Sequence, residues 1–158
     1  MVTKDIRPYP NVNEIAHVDS LAKHLGIATD KLLGIAENSA LHWRAGPDIA
    51  KSDGGVRHTH SATTALKEVH DRIKNTILRR TIYPDYLYGS LPKTLERGVR
   101  DHIANAQLHA GRRLIISADI KNYFPSITAT VVHGIWQGFY PFAPMVAAIL
   151  SKLTTYPN

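Results

Sequence analysis

The stretch "LIISADIKNYFPSIT", residues 114–128, sets a run of apolar and small residues ahead of a single carboxylate, Asp119, and follows it with two aromatics and a proline. A short apolar run bounded in this way reads as a buried strand that delivers one acid at its mouth. Enzymes use such an arrangement for metal-bound phosphate chemistry, and many ordinary strands end the same way. The rest of the chain has to decide between these readings.

Just upstream, "VRDHIANAQLHA" predicts a helix that ends at Gly111. Downstream, Ser126 is placed to cap a helix through "ITATVVHGIWQGF", and "APMVAAILSKL" supplies a last apolar helix. At the other end, "NEIAHVDSLAKHL" puts Ile15, Val18, Leu21, Ala22 and Leu25 on one helical face and stops at Gly26. "TDKLLGIAENS" opens on the capping residue Thr29 and predicts a second short helix. "LHWRAGPDIAK" and "VRHTHS" flank "SDGG" at 52–55, whose Asp-Gly step is a hairpin signal. From Ala62 to Tyr83, apolar residues at Ala62, Leu66, Val69, Ile73 and Ile77 predict one long amphipathic helix with its basic residues outward, closed by Pro84. "YGSLPKTLERG", residues 88–98, has the composition of a loop.

Helices, a hairpin and one central strand imply an α+β architecture. One core strand cannot make a sheet, and isolated two-stranded pieces are marginal. A further stretch of chain or a partner is expected to supply what is missing.

At 158 residues the chain can bury about two-thirds of its unfolded surface. With 44% hydrophobic and 20% charged residues it has globular composition, without repeats or biased tracts. A formal charge of +6 and a pI near 9.7 favour polyanionic partners. Between Lys67 and Arg113 ten Lys and Arg face five acids, so the excess is concentrated in one segment. The absence of cysteine excludes disulfides and thiolate metal sites. The N-terminus lacks the apolar run of a signal peptide, and no stretch approaches the roughly 18 apolar residues of a membrane span. A cytoplasmic protein without membrane contact is the expectation.

In "KSDGGVR", Lys51 and Arg57 flank the turn on opposite strands and could converge on one anion, or could be the exposed basic residues of a plain hairpin. Walker and dinucleotide-binding motifs are both absent. His58 with His60, and His102 with His109, share faces but lack the close third ligand of a zinc site. The basic face of the 62–83 helix, with Arg72, Lys74, Arg79 and Arg80, either tracks a nucleic-acid backbone or is simply solvated. Were magnesium held by Asp119 and the Ile120 carbonyl, the amides of Asn122 and Tyr123 could reach a triphosphate on that ion, with an aromatic five residues after Asp119 walling the sugar.

At this point the residues carry a resemblance. "SADIKNYFPSI" resembles motif A of bacterial reverse transcriptases, the group that contains the retron enzymes and their phage-defence relatives. "IAKSDGGVR" resembles that family's fingers hairpin, "ATTALKEVHDRIKNTIL" the helix that follows it, and "GVRDHIANAQLH" the segment before motif A, so the likeness spans roughly residues 13–157. It departs from the family at Ile49-Ala50-Lys51, where Ile-Pro-Lys is usual, and at "THSAT", where a proline usually follows the hairpin.

The resemblance implies a right-hand polymerase fold, with fingers and N-terminal helices over 1–112 and the first part of an incomplete palm sheet over 113–158. It implies an RNA-directed DNA polymerase acting on RNA template, DNA or RNA primer and deoxynucleotides, with two magnesium ions. Asp119 would ligate metal together with the Ile120 carbonyl. Lys51 and Arg57 would neutralise the triphosphate, the Asn122 and Tyr123 amides would seat it, and Phe124 would exclude a ribose 2′-hydroxyl, with core packing beside Pro125 as its plainer use. Arg72, Lys74, Arg79, Arg80 and Arg100 would face nucleic acid, and Asn105 and His109 would support the palm. The family continues into Leu-Pro-Gln-Gly, Tyr-x-Asp-Asp and a thumb, none of which is in this sequence. The chain alone is therefore expected not to polymerise DNA, and a second polypeptide or a C-terminal continuation is expected to complete it. The alternative is an inactive RNA-binding or assembly module derived from such an enzyme.

Overall fold

A computed structural model describes residues 7–52, 54–89, 91, 100–121 and 123–157, leaving aside the side chains of Phe124 and Pro125. In chain order it contains α1 (Val18–Leu25), α2 (Thr29–Glu37), strands β1 (Trp43–Ala45), β2 (Ile49–Ala50), β3 (Val56–Arg57) and β4 (His60–Ala62), and α3 (Thr64–Thr76). There follow α4 (His102–His109), the single turn α5 (Tyr123–Ser126), α6 (Ala129–Gly134) and α7 (Pro144–Thr154). Helices with small antiparallel ladders make this α+β, as the sequence implies. None of the described helices is long and apolar enough to cross a membrane.

The core is helical. Leu21 and Leu25 of α1, Leu32 of α2, Leu66, Val69 and Ile73 of α3, and Val146, Leu150 and Leu153 of α7 are all essentially inaccessible. Each such leucine contributes about 2 kcal/mol by leaving water. Trp136, Tyr140 and Phe142 extend this core as a near-parallel aromatic group, with Tyr140 and Phe142 centroids 5.6 Å apart. One hydrophobic cluster thus takes residues from both sides of position 112.

Local chemistry explains the helix limits. α1 ends in a left-handed Gly26, φ 66°, whose amide donates to the Lys23 carbonyl while the Ile27 amide reaches back to Ala22. It starts at Val18 rather than Asn13 because Ile15 is held extended against Phe142, its carbonyl accepting from the Ala143 amide at 3.1 Å. α2 is preceded by Ala28, and Thr29 donates its hydroxyl across to Asp19 at 2.8 Å instead of capping.

The long helix expected over 62–83 is shorter. Ala62 belongs to β4, and α3 gives way at Ile77 to a 3₁₀ turn, Leu78–Arg80. The N-terminal segment competes for this backbone: Asn11 donates to the Arg80 carbonyl, Tyr9 and Ile82 exchange amide bonds of 3.1 and 2.9 Å, and His24 Nε2 donates to the Thr76 carbonyl.

Downstream of α4 the expectation of a buried strand is overturned. Residues 114–120 form no strand and are exposed, Leu114 at 77% and Ile116 at 84%. A strand exists only when neighbours take its amides and carbonyls. Among the described residues, every strand is paired within the 43–62 ribbon, so none lies beside 114–120. The helix after this segment is also entered differently. Thr128, not Ser126, caps it by accepting from the Val131 amide, whereas Ser126 donates to the Tyr123 carbonyl. Beyond Gly134 the helix widens into a π-helical turn, Ile135–Phe139. α7 begins at Pro144, where proline's missing amide costs nothing.

Inside the core, Thr81 and Tyr140 share a 2.6 Å hydroxyl hydrogen bond. Burial raises the Tyr140 phenol above its ordinary value of 10.0, against a smaller opposing effect of the Thr81 bond. A raised phenol means the folded state favours the protonated form. This stability is complete below the ordinary value and is lost as pH climbs through the raised one. Tyr140→Phe should cost about 1 kcal/mol at neutral pH by stranding Thr81, yet lose stability less steeply in alkali. Urea denaturation of both proteins from neutral to strongly alkaline pH measures the two effects.

Candidate nucleotide and nucleic-acid site

The hairpin is two ladders in one ribbon. β1 pairs with β4 as Trp43↔Ala62, Arg44↔Ser61 and Ala45↔His60. β2 pairs with β3 as Ile49↔Arg57 and Ala50↔Val56. Between them Pro47 and Asp48 on one strand oppose only His58 on the other, which is a β-bulge. Asp48 Oδ1 and His58 Nδ1 meet across it at 2.8 Å, and Thr59 donates its hydroxyl to the Pro47 carbonyl at 2.7 Å. A Cβ on Gly46 would run into Thr59 Oγ1, so that hydroxyl would have to swing away and give up its bond to the Pro47 carbonyl.

At the tip, the Gly54 amide donates to the Lys51 carbonyl at 3.1 Å and the Lys51 amide to Gly55 at 2.8 Å. With Gly54 at φ 82° this is a three-residue loop closed by a left-handed glycine, not the two-residue turn an Asp-Gly step alone suggests. Asp53 lies outside the described residues. Arg57 faces Ile49, so Lys51, two residues along, shares its face of the ribbon. Diagonal neighbours stand about 7–8 Å apart, within joint reach of one anion for two long side chains. Both are exposed.

Asp119 is exposed in the irregular segment ahead of α5, and Ile120 is 65% exposed. Tyr123, half exposed, begins the single turn α5. Asn122 and the Phe124 side chain lie outside the described residues. Among the described residues no hydrogen bond or ion pair joins Asp119 to the hairpin, and no group of three His, Cys, Asp or Glu could hold a metal ion. Among the described residues Asp119 belongs to no such group, and these residues by themselves do not complete a two-metal centre.

The basic surface is partly committed. Arg72 and Lys74 lie exposed on α3, and Arg79 and Arg80 on the turn beyond it. Lys74 is paired with Asp71 at 2.6 Å, and Lys31 with Glu68 at 2.9 Å. In each pair the hydrogen bond from the lysine, with its charge, holds the carboxyl below the usual range. Arg72, Arg79 and Arg80 have no ion pair among the described residues. Lys93 and Arg97, and most of the loop predicted over 88–98, lie outside them.

Arg100 turns inward. Its side chain is 8% exposed, with Nη1 donating to the Pro84 and Leu87 carbonyls at 2.7 and 3.2 Å and Nη2 to Asp85 at 2.6 Å. The guanidinium also sits 5.9 Å from the Tyr88 ring centroid. This fork ties the 84–88 loop to the start of α4, which Asp101 caps by accepting from the Ala104 amide at 2.8 Å. Asn105 and His109 lie on α4, none of whose residues is buried. An arginine among basic residues reads as surface charge, and nothing in its local sequence signals this fold-holding use. Sequence reasoning also missed the aromatic group of Trp43, His70 and Tyr156, gathered by tertiary contacts such as His70 Nε2 donating to the Leu153 carbonyl, 83 residues away. Arg100→Ala should destabilise the protein by about 2 kcal/mol, since buried charged hydrogen bonds are lost. Lysine should not rescue it, lacking the fork. Denaturation curves and proteolysis at residues 84–88 test both.

The sequence relatives of the chain are reverse transcriptases. Within that class the chain is a relative of the retron enzymes over most of its length. It is 30% identical over 152 residues, 96% of the chain, to the Retron Se72 reverse transcriptase of Salmonella heidelberg (strain 579083-10). It is 28% identical over 143 residues, 87% of the chain, to the Retron Ec48 reverse transcriptase of Escherichia coli. It is 27% identical over 113 residues, 69% of the chain, to the Retron Mx65 reverse transcriptase of Myxococcus xanthus, of which it covers 25%. The chain spans 38% of the length of the first relative and 35% of the second. No protein-family model matches it.

Proposed function

We propose that this chain forms the fingers, over residues 1–112, and the first part of the palm, over 113–158, of a cytoplasmic RNA-directed DNA polymerase. The observation that carries this reading is the relationship, across 96% of the chain, to a retron reverse transcriptase. The reaction joins a primer 3′-hydroxyl to the α-phosphate of a deoxynucleotide, with RNA as template and pyrophosphate leaving. Lys51 and Arg57, sharing one ribbon face, neutralise part of the triphosphate. The Asn122 and Tyr123 amides seat it, and the Phe124 ring occupies the space of a ribose 2′-hydroxyl. Arg72, Arg79 and Arg80 take backbone phosphates, and Lys74 and Arg100 serve only to the extent their present acid partners release them.

Asp119, with the Ile120 carbonyl beside it, contributes one carboxylate to a magnesium-dependent centre. Its remaining ligands, in a Tyr-x-Asp-Asp sequence, come with the rest of the palm and the thumb, from a continuation of this chain or from a partner. The exposed apolar residues 114–120 support this, because a strand at the palm's heart needs neighbours these residues do not supply. The second reading is an inactive RNA-binding or assembly module, in which Asp119, part of no group of three potential ligands among the described residues, binds no metal.

One substitution separates the two. In the complete polymerase Asp119→Asn should reduce DNA synthesis at least a thousand-fold, on the order expected for a lost catalytic carboxylate, and leave RNA affinity within about two-fold. Primer extension beside RNA binding gives both numbers, and synthesis that survives the substitution would exclude a catalytic Asp119. In the same assay, Lys51→Ala with Arg57→Ala should raise the deoxynucleotide concentration needed for half-maximal extension by roughly ten-fold or more. An unchanged requirement removes the hairpin from the nucleotide site.

A further inference from the structure

A cleft of about 840 Å³ opens between the root of the hairpin and the end of α7. His60 of β4 and Tyr156 form one wall, their rings in close tilted contact at 3.7 Å between centroids and 31° between planes. Trp43 props Tyr156 edge-on at 5.7 Å. Both wall residues stay open to solvent, Tyr156 at 42%. Lys152 stands on the rim, exposed and without an acid partner among the described residues, and Ser39, Thr128 and Thr155 add hydroxyls. Among the described residues no acid lines the cleft. Its walls come from the ribbon that carries Lys51 and Arg57 and from residues 127–129, which follow the Asp119 segment.

We propose that this cleft holds an unpaired nucleotide of a single-stranded nucleic acid, its base stacked on the His60–Tyr156 pair and its phosphate on Lys152. The site rests on the polymerase reading for its place, between proposed fingers and proposed palm, where a template strand would pass before pairing. A π-stacked ring open on one side suits any base and reads no sequence. The charge decides between a strand and a free nucleotide: one permanent cation matches one phosphate per residue of a strand and leaves a triphosphate largely uncompensated. The hydroxyls are suited to a ribose or a base edge, because Thr155 already donates to the Ser151 carbonyl and keeps its lone pairs available.

The test uses the complete protein with a fluorescent single-stranded RNA and a blunt duplex of the same sequence. Tyr156→Ala should weaken single-strand binding roughly ten-fold or more, with Tyr156→Phe close to the wild type. Lys152→Ala should lower the slope of log affinity against log salt by about 0.7. Duplex affinity should move less in each case. Independently of any variant, RNA carrying 5-iodouridine in its unpaired stretch should photocrosslink the wild-type protein at His60 or Tyr156. Crosslinks confined to other segments, or unchanged single-strand affinity in folded Tyr156→Ala, overturn the proposal. Release of the crosslink by deoxynucleotide alone also overturns it, in favour of a free-nucleotide pocket. Crosslinking at Tyr156 without any Asp119-dependent synthesis sustains this site while defeating the polymerase reading, and the converse result defeats only this site.

Discussion

The hydrophobic core of this protein depends on α7 lying against α1, α2 and α3. Val146, Leu150 and Leu153 come from the last helix and find Leu21, Leu32, Leu66 and Val69 from the first three, so the ends of the chain close one core. A leucine truncated in such a place costs about 2–5 kcal/mol, a large part of what a domain of this size has to spare. The same packing fixes the polar detail. His70 can reach the Leu153 carbonyl at 2.7 Å only because α3 and α7 are in register, and Tyr156 meets Trp43 and His60 because α7 ends beside the ribbon.

Against this closed core stands a stretch that follows none of its rules. From 110 to 121 every residue is exposed, although Leu114, Ile115, Ile116 and Ile120 are as apolar as any in the core. The described residues leading into the motif-like stretch, through Lys121, are thus exposed. Apolar surface of this kind is characteristic of a face made for another element. The proposed continuation of the palm would meet the chain there.

The helical half of the fold was legible because its signals are local. Spacing of apolar residues located α1 and α3, the apolar run "APMVAAILSKL" located α7, and Gly26 marked a stop through its own backbone geometry. What could not be read depended on partners distant in sequence. Ile15 looks helical until Phe142 draws it out, Ile77 continues a perfect stripe until Tyr9 and Asn11 take the backbone beyond it, and Arg100 looks like surface charge until the 84–88 loop folds over it. The Asp119 segment reads as a strand on its residues alone, and a strand is a property of two segments. For the proposed site, residue type and spacing singled out Lys51, Arg57 and Asp119 as candidates, whereas the cleft at Tyr156 is built by tertiary contact and left no trace in any single stretch.

The bulge at Pro47 and Asp48 has a consequence best put as arithmetic. Along a strand, odd and even residues lie on opposite sides, and an unbroken antiparallel ladder keeps the sum of paired numbers constant. The inner ladder pairs residues whose numbers differ in parity, Trp43 with Ala62 and Ala45 with His60. Had it run on unaltered, Lys51 and Arg57, both odd, would have come out on opposite sides of the ribbon. One additional residue switches the outer ladder to pairs of like parity, Ile49 with Arg57, and brings the two cations together. The hairpin therefore keeps count: loss of a single residue at 47 or 48 would leave composition and charge nearly unchanged and still divide the pair.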